Sequence, residues 1–224
     1  MDTAFAMDQT STDASITDRL REDILGGVYP PGERLVELQL TKQYKVGRAA
    51  IRSAIVELDK EGLVTREANR GATVRKVSVA EAVQIYEARS ALEGLLARHA
   101  AMNATEQDID QLRSIIIRMK EAADQNDPRR YVELNREFHR EIRRTSRHDV
   151  TSNLVLSLRN QAAHHPYRLA VVQGRPEDSL PDHEAIVDAI GEKNADAAEK
   201  AMVRHASLTI DLLRQWTEGA PRLS

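Results

Sequence analysis

Apolar residues recur along this chain in two textures. Up to about residue 76 the periodic runs are short and punctuated. Ile16, Leu20 and Ile24 stand four apart and predict a short helix, which Gly26-Gly27 ends. Pro30-Pro31-Gly32 predicts a turn, and a second short helix fits Val36–Gln43. A third helix opens at Gly47, carries Ile51, Ala54, Ile55 and Leu58 on one face, and is capped by Gly62. Leu63–Lys76 brings Leu-Val-Thr and Thr73-Val74 to either side of a polar tip at Asn69-Arg70-Gly71, the pattern of a small hairpin. Beyond Val77 glycine is rare and runs of helical period dominate. They predict helices over 79–102, 105–125, 128–146, 149–172, 180–191 and 194–217, divided in places by Asp127-Pro128, Gly174–Pro176 and Gly191. The fold class is therefore mainly α: an N-terminal winged helix-turn-helix plus a C-terminal all-α antiparallel helical bundle. The expected boundaries are a tail over 1–14, a winged unit over 15–76, the bundle over 77–217 and a tail over 218–224.

Composition narrows the classes open to such a chain. With 224 residues, 41% of them hydrophobic, there is material for packed cores. The absence of Cys excludes a disulfide framework and any thiolate metal site. No apolar run has the length of a membrane span. The start, MDTAFAMDQTSTDAS, lacks the basic and apolar regions of a secretion signal. The expectation is a cytoplasmic protein with no membrane partner. A net charge of −3 speaks against nucleic acid only until it is divided. Residues 10–76 hold 12 Lys/Arg against 10 Asp/Glu, whereas residues 77–224 hold 20 against 23. The front is mildly basic and the rear acidic.

The third front helix begins Lys45-Val46-Gly47-Arg48-Ala49-Ala50-Ile51-Arg52. If Ile51, Ala54, Ile55 and Leu58 face the core, Arg48 and Arg52 share an exposed neighbouring face beside small Ala49. That arrangement suits a helix entering a major groove, with guanidinium groups near its N-terminus and little bulk beside them. At the hairpin tip, Arg70 beside Gly71 suits a phosphate or minor-groove contact.

In the rear, polar groups interrupt apolar seams. Arg89 stands in the stripe Ile85, Leu92, Leu96; Asn135 stands among Tyr131, Phe138 and Ile142, with His139 four residues on. His183 shares a face with Ile186, Val187 and Ile190, and His205 stands among Ala198, Met202, Leu208, Leu212 and Trp216. Buried together without partners these groups would be costly. Three imidazoles and one side-chain oxygen form an N3O donor set for Zn, Ni or Mn. An open coordination position could take a carboxylate, with Arg89 pairing its remaining charge. His99, His148, His164 and His165 show no comparable pattern, and no carboxylate stands out in the seams as a general acid or base.

These residues carry a family resemblance. Ile24-Leu25-Gly26-Gly27, Pro31-Gly32-Glu33-Arg34-Leu35, Glu37, Arg48, Arg52, Glu57-Leu58, Glu61-Gly62-Leu63-Val64 and Arg70-Gly71 resemble the N-terminal domain of GntR-family bacterial transcription regulators over residues 16–76. The resemblance implies operator contacts from Arg48 and Arg52, a wing carrying Arg70 and Gly71 into the minor groove, and Arg34 on the same DNA-facing side. The chain departs from the pattern at Gly47, usually Ser or Thr, and at Ala49-Ala50, usually Thr-Pro. Tyr86-Glu87-Ala88-Arg89, Leu92-Glu93, Asn135, Phe138-His139, His183-Glu184-Ala185-Ile186 and His205 resemble the effector domain of the FadR subgroup, called FCD, over about 79–216. That resemblance implies a divalent metal on Asn135, His139, His183 and His205, and an effector carboxylate on Arg89. Asn135 replaces the usual Asp, so the site brings no charge of its own.

The function these features imply is a metabolite-responsive DNA-binding regulator, a repressor released by a small organic acid bound at or near the metal. Its partners would be double-stranded operator DNA and a second copy in a homodimer. A metal-responsive regulator is one alternative, and an all-α metalloenzyme with a His site is another.

Overall fold

The computed structural model describes residues 15–67, 71–162 and 176–219 of the chain. It divides into two compact units, Met1–Arg75 and Lys76–Ser224.

In the front unit, α1 (Ile16–Gly26) starts where the Ser15 hydroxyl accepts from the Asp18 backbone N–H and stops at Gly27, whose φ of +85° is left-handed. Next come β1 (Arg34–Leu35), α2 (Glu37–Tyr44) and α3 (Arg48–Lys60). The turn between α2 and α3 is closed by Lys45 in the left-handed region. β2 (Val64–Glu67) and β3 (Gly71–Val74) make the expected hairpin. Its tip, Ala68 to Arg70, lies outside the described residues. The two-residue strand β1 is an element the sequence did not announce. It pairs antiparallel with β3, Arg34 opposite Thr73, giving the sheet order β1-β3-β2. The core under these elements holds Leu20, Ile24, Leu35, Leu40, Ile51, Leu58, Leu63 and Val74. Arg21 of α1 grips the Glu61 carboxylate at the end of α3 with two bonds, 2.7 and 2.6 Å.

The rear unit is all helix among its described residues: α4 (Val79–Asn103), α5 (Glu106–Asp124), α6 (Pro128–Ser146), α7 (Asp149–Ala162), α8 (Pro176–Gly191) and α9 (Ala195–Gly219). Its local start signals are conventional. Ser78 caps α4, Thr105 and Asp108 form a capping box on α5, and Asp127 caps α6 ahead of Pro128. Cross-links fix the directions. Arg98 near the end of α4 pairs with Asp196 at the start of α9, while Glu87 near the start of α4 pairs with Arg214 near the end of α9. The two helices are antiparallel. Arg144–Asp108 and Arg118–Glu137 make α5 and α6 antiparallel in the same way. The main core joins Leu96, Ile109, Leu112, Ile115, Met119, Phe138, Ile142, Ile186, Ile190 and Met202.

Two expectations need correcting here, and part of a third lies outside the described residues. Helix α8 begins at Pro176 rather than residue 180, with Pro181 inside it; a proline is well placed in the first turn, where its missing N–H is not needed. Helix α7 is described only to Ala162, so the expected continuation to residue 172 and the pair His164-His165 lie outside the described residues. Leu208 and Leu212 are exposed rather than buried. Beyond His205 the buried face of α9 turns to Ile210 and Leu213, and Leu213 packs with Val77, Ala82 and Ile85 in a separate small cluster.

Candidate functional site

Helices α6, α8 and α9 bring His139, His183 and His205 together, with one donor atom from each lying within 4.8 Å of the others. The ring centroids of His183 and His205 are 4.3 Å apart, those of His139 and His205 5.3 Å, and those of His139 and His183 6.0 Å. Asn135, one turn before His139, places its Oδ1 3.0 Å from His183 Nε2. Phe138 stands edge-on to His183 at 4.8 Å and walls the cluster on the core side. His183 is wholly buried. The buried Nδ1 atoms of His183 and His205 have no well-formed hydrogen bond, although the Ser179 backbone slightly favours protonated His183.

Burial first, and then the neighbouring His205 and arginines, hold His139 well below its ordinary basicity. Burial and the other two imidazoles do the same to His183. His205 is lowered mainly by burial, against the pull of Glu93 and Asp182. At neutral pH the three rings are uncharged, the state in which imidazole ligates a metal. Buried nitrogens without partners, neutral rings and an amide oxygen together fit a divalent ion.

Arg89 reaches the same region from α4 but is not free there. Its Nη2 lies 2.7 Å and its Nε 3.2 Å from Glu93 Oε1, and its guanidinium sits 4.7 Å from the Tyr86 ring centre. Glu93 is a buried carboxylate that the seam pattern did not single out, and it is paired with Arg89. It is only 6% exposed and shares the wall of a small cavity, about 10 Å³, with Leu96, His139, Ile142, Arg143 and Met202. Its burial opposes ionisation, but Arg89 outweighs that and keeps the carboxyl below its ordinary range. Two further arginines belong to this region. Arg143 follows Asn135 and His139 at the same four-residue step on α6, a signal present in the sequence. Arg159 on α7 carries no such signal.

His148, which showed no pattern in sequence, is structural: its Nδ1 accepts from the Thr151 backbone N–H at 3.3 Å at the start of α7, and its ring stacks edge-on with His99 at 4.7 Å.

In the front unit α3 presents Arg48 and Arg52 on its exposed side, while Ile51, Ala54, Ile55 and Leu58 are buried as their spacing predicted. Gly47 is the N-cap residue, and no side chain caps the helix. Arg52 Nε donates to Glu37 on α2 at 2.8 Å. Such an exposed pair is worth at most about 1 kcal/mol and yields readily to a phosphate. Arg34 is exposed on β1. Gly71, at the start of β3, has φ +90°, and a Cβ there would meet the Leu35 carbonyl oxygen at 3.2 Å, so glycine lets the two strands close up. Arg70 lies outside the described residues.

A winged helical unit followed in the chain by an all-α unit with a buried His cluster is the build of DNA-binding transcription regulators, and the chain is similar to such proteins over most of its length. Residues 12–74 match the bacterial regulatory proteins of the gntR family, and residues 84–208 match the FCD domain. The Uxu operon regulator of Haemophilus influenzae is 30% identical over 205 residues, spanning 83% of this chain and 76% of its own. The HTH-type transcriptional repressor RspR of Escherichia coli is 27% identical over 196 residues, 88% of this chain and 86% of its own. The solved structure of E. coli McbR/YncC shares the fold, with a TM-score of 0.72 at 20% identity over 90% of this chain and 96% of the other. The chain belongs to the GntR family of transcription regulators, with an FCD domain as its rear unit.

Proposed function

We propose that this regulator is a cytoplasmic repressor that binds operator DNA as a homodimer and releases it when a small carboxylate occupies the His cluster. No described helix is long and apolar enough to cross a membrane. The observation that carries the reading is the convergence of three neutral histidines beside Arg89 in the domain that its family uses for effectors. His139, His183 and His205 would hold a divalent ion, with Asn135 Oδ1 as the fourth donor. When bound, the ion supplies positive charge and an open coordination position for a carboxylate oxygen. In the free site Asn135 holds His183 through their hydrogen bond, which the ion would replace. Arg89 gives up part of its contact with Glu93 to take the effector's carboxylate.

On the DNA side, Arg48 and Arg52 contact the major groove, Arg34 the backbone, and Arg70 with Gly71 the minor groove. Repression fits the likeness to RspR, itself a transcriptional repressor. Release follows only if the effector binds the operator-free arrangement more tightly than the operator-bound one.

The test is fluorescence anisotropy on an operator selected from random DNA by the protein itself. Arg48→Ala and Arg52→Ala should each weaken binding by about 1–3 kcal/mol; unchanged affinity would remove them from the interface. Adding Zn²⁺ or Ni²⁺ with a small organic acid should release the DNA. Release by metal alone would make the metal the effector.

A further inference from the structure

Counting charge around Glu93 exposes an imbalance. Arg89 on α4 pairs with this carboxylate, Arg143 on α6 lines the same small cavity as Glu93 and His139, and Arg159 on α7 acts electrostatically on Glu93 and on His139. Only Arg89 makes an ion pair with Glu93. The side chains of Arg143 and Arg159 are partly buried and make no hydrogen bond or ion pair among the described residues. The three histidines are neutral, and the nearby Asp182 is matched by Arg204 at 2.6 Å. Three guanidinium groups therefore face one carboxylate, an excess of two positive charges in a partly dehydrated place. Burial and mutual repulsion depress Arg159 to about 10, and burial likewise lowers Arg143. A divalent ion on the histidines would deepen the excess. Uncompensated charge of this kind is retained where a ligand supplies the balance.

We propose that Arg143 and Arg159 complete, with Arg89, a three-guanidinium pocket that selects a small dicarboxylate over a monocarboxylate. This rests on the effector reading above and adds the ligand's charge and two of its anchors. Two carboxylates offset the two excess charges of the metal-free pocket, or half of the excess once an ion is bound, and each planar group matches the fork of an arginine. Their supply from three helices favours two separated anionic groups over one compact anion such as phosphate. The cavity of about 10 Å³ beside Glu93 holds no more than an ion or a water. The acid therefore lies on the solvent side of that cavity, where Arg143 and Arg159 are partly exposed.

The experiment is calorimetry and thermal unfolding of the full-length protein with succinate, propionate and inorganic phosphate, each with and without Zn²⁺. Succinate should bind at least tenfold more tightly than propionate or phosphate. Arg143→Gln with Arg159→Gln should erase that preference, weakening succinate at least tenfold more than propionate. Without ligand, each single substitution should raise Tm, by roughly 2–4 °C for each 1 kcal/mol of relieved repulsion. This readout needs no ligand and separates lost binding from lost folding. If succinate and propionate bind alike and the double variant changes neither, the pocket is not selective and the inference falls while the effector reading stands. If neither acid binds, both fall. Phosphate binding as tight as succinate, or a lowered Tm in the free variants, also overturns the proposal.

Discussion

Single side chains in the rear unit divide into those that hold the bundle and those that the bundle holds for a ligand. Asp108 is of the first kind. Its burial works against ionisation, but the backbone and hydroxyl of Thr105 and the guanidinium of Arg144 keep its carboxyl down at about 2 against an ordinary 3.8. Above pH 3.8 the carboxylate is ionised in the folded and unfolded chains alike, and its bonds contribute in full. As pH falls from there toward 2, the unfolded chain takes up the proton first and the contribution drains away. Denaturant unfolding should therefore show Asp108→Asn less stable than the parent at pH 7, with the gap closing on acidification below pH 4; a gap independent of pH would assign the loss to packing. Arg89 is proposed to be of the second kind. Arg89→Ala should leave operator affinity intact in anisotropy titrations and make DNA release insensitive to effector. Loss of the folded baseline by circular dichroism would instead make the Arg89–Glu93 pair a structural bond.

At the scale of elements, close approach of helices decides what the site can be. Gly94 lets α4 lie against α9, since a Cβ there would meet Val203 Cγ2 at 2.9 Å. Gly94→Leu should drive α9 away and cost about 1–3 kcal/mol of stability, as overpacking does; unfolding with an unchanged midpoint would mean that the exposed Val203 simply turns aside. His205 rides on α9 and Arg89 on α4, so the same substitution should also loosen metal retention. The helix starts were legible because Ser15, Ser78, Thr105 and Asp127 cap them through local chemistry. The three histidines were legible because they occupy positions whose spacing demands apolar residues. Glu93 and Arg159 were not, because charged residues on a helix read as solvated until the neighbouring helix is known; Arg143 keeps the four-residue step of Asn135 and His139, a weaker signal that its charge masks. Strand β1 was equally silent, being two residues long and defined only by its pairing with β3. Capping α3 tests a local departure. Gly47→Ser would give it the hydroxyl it lacks, with a gain of only a few tenths of a kcal/mol in stability.

Over the whole molecule, the net charge of −3 resolves into +2 over residues 10–76, −3 over residues 77–224 and −2 from Asp2 and Asp8 at the start. A weakly charged reader limits non-specific attraction to DNA, so selectivity falls to a few placed arginines. The absence of Cys restricts any metal to nitrogen and oxygen donors, and the sensor gathers such a set at one point. That gathering is the centre of the account, and native mass spectrometry with elemental analysis tests it directly. Protein purified without chelators should carry one divalent ion per subunit, and His139→Ala with His183→Ala should carry none while remaining folded. Undiminished metal in the double variant, or parent protein that takes up no divalent ion when it is supplied, would contradict the account.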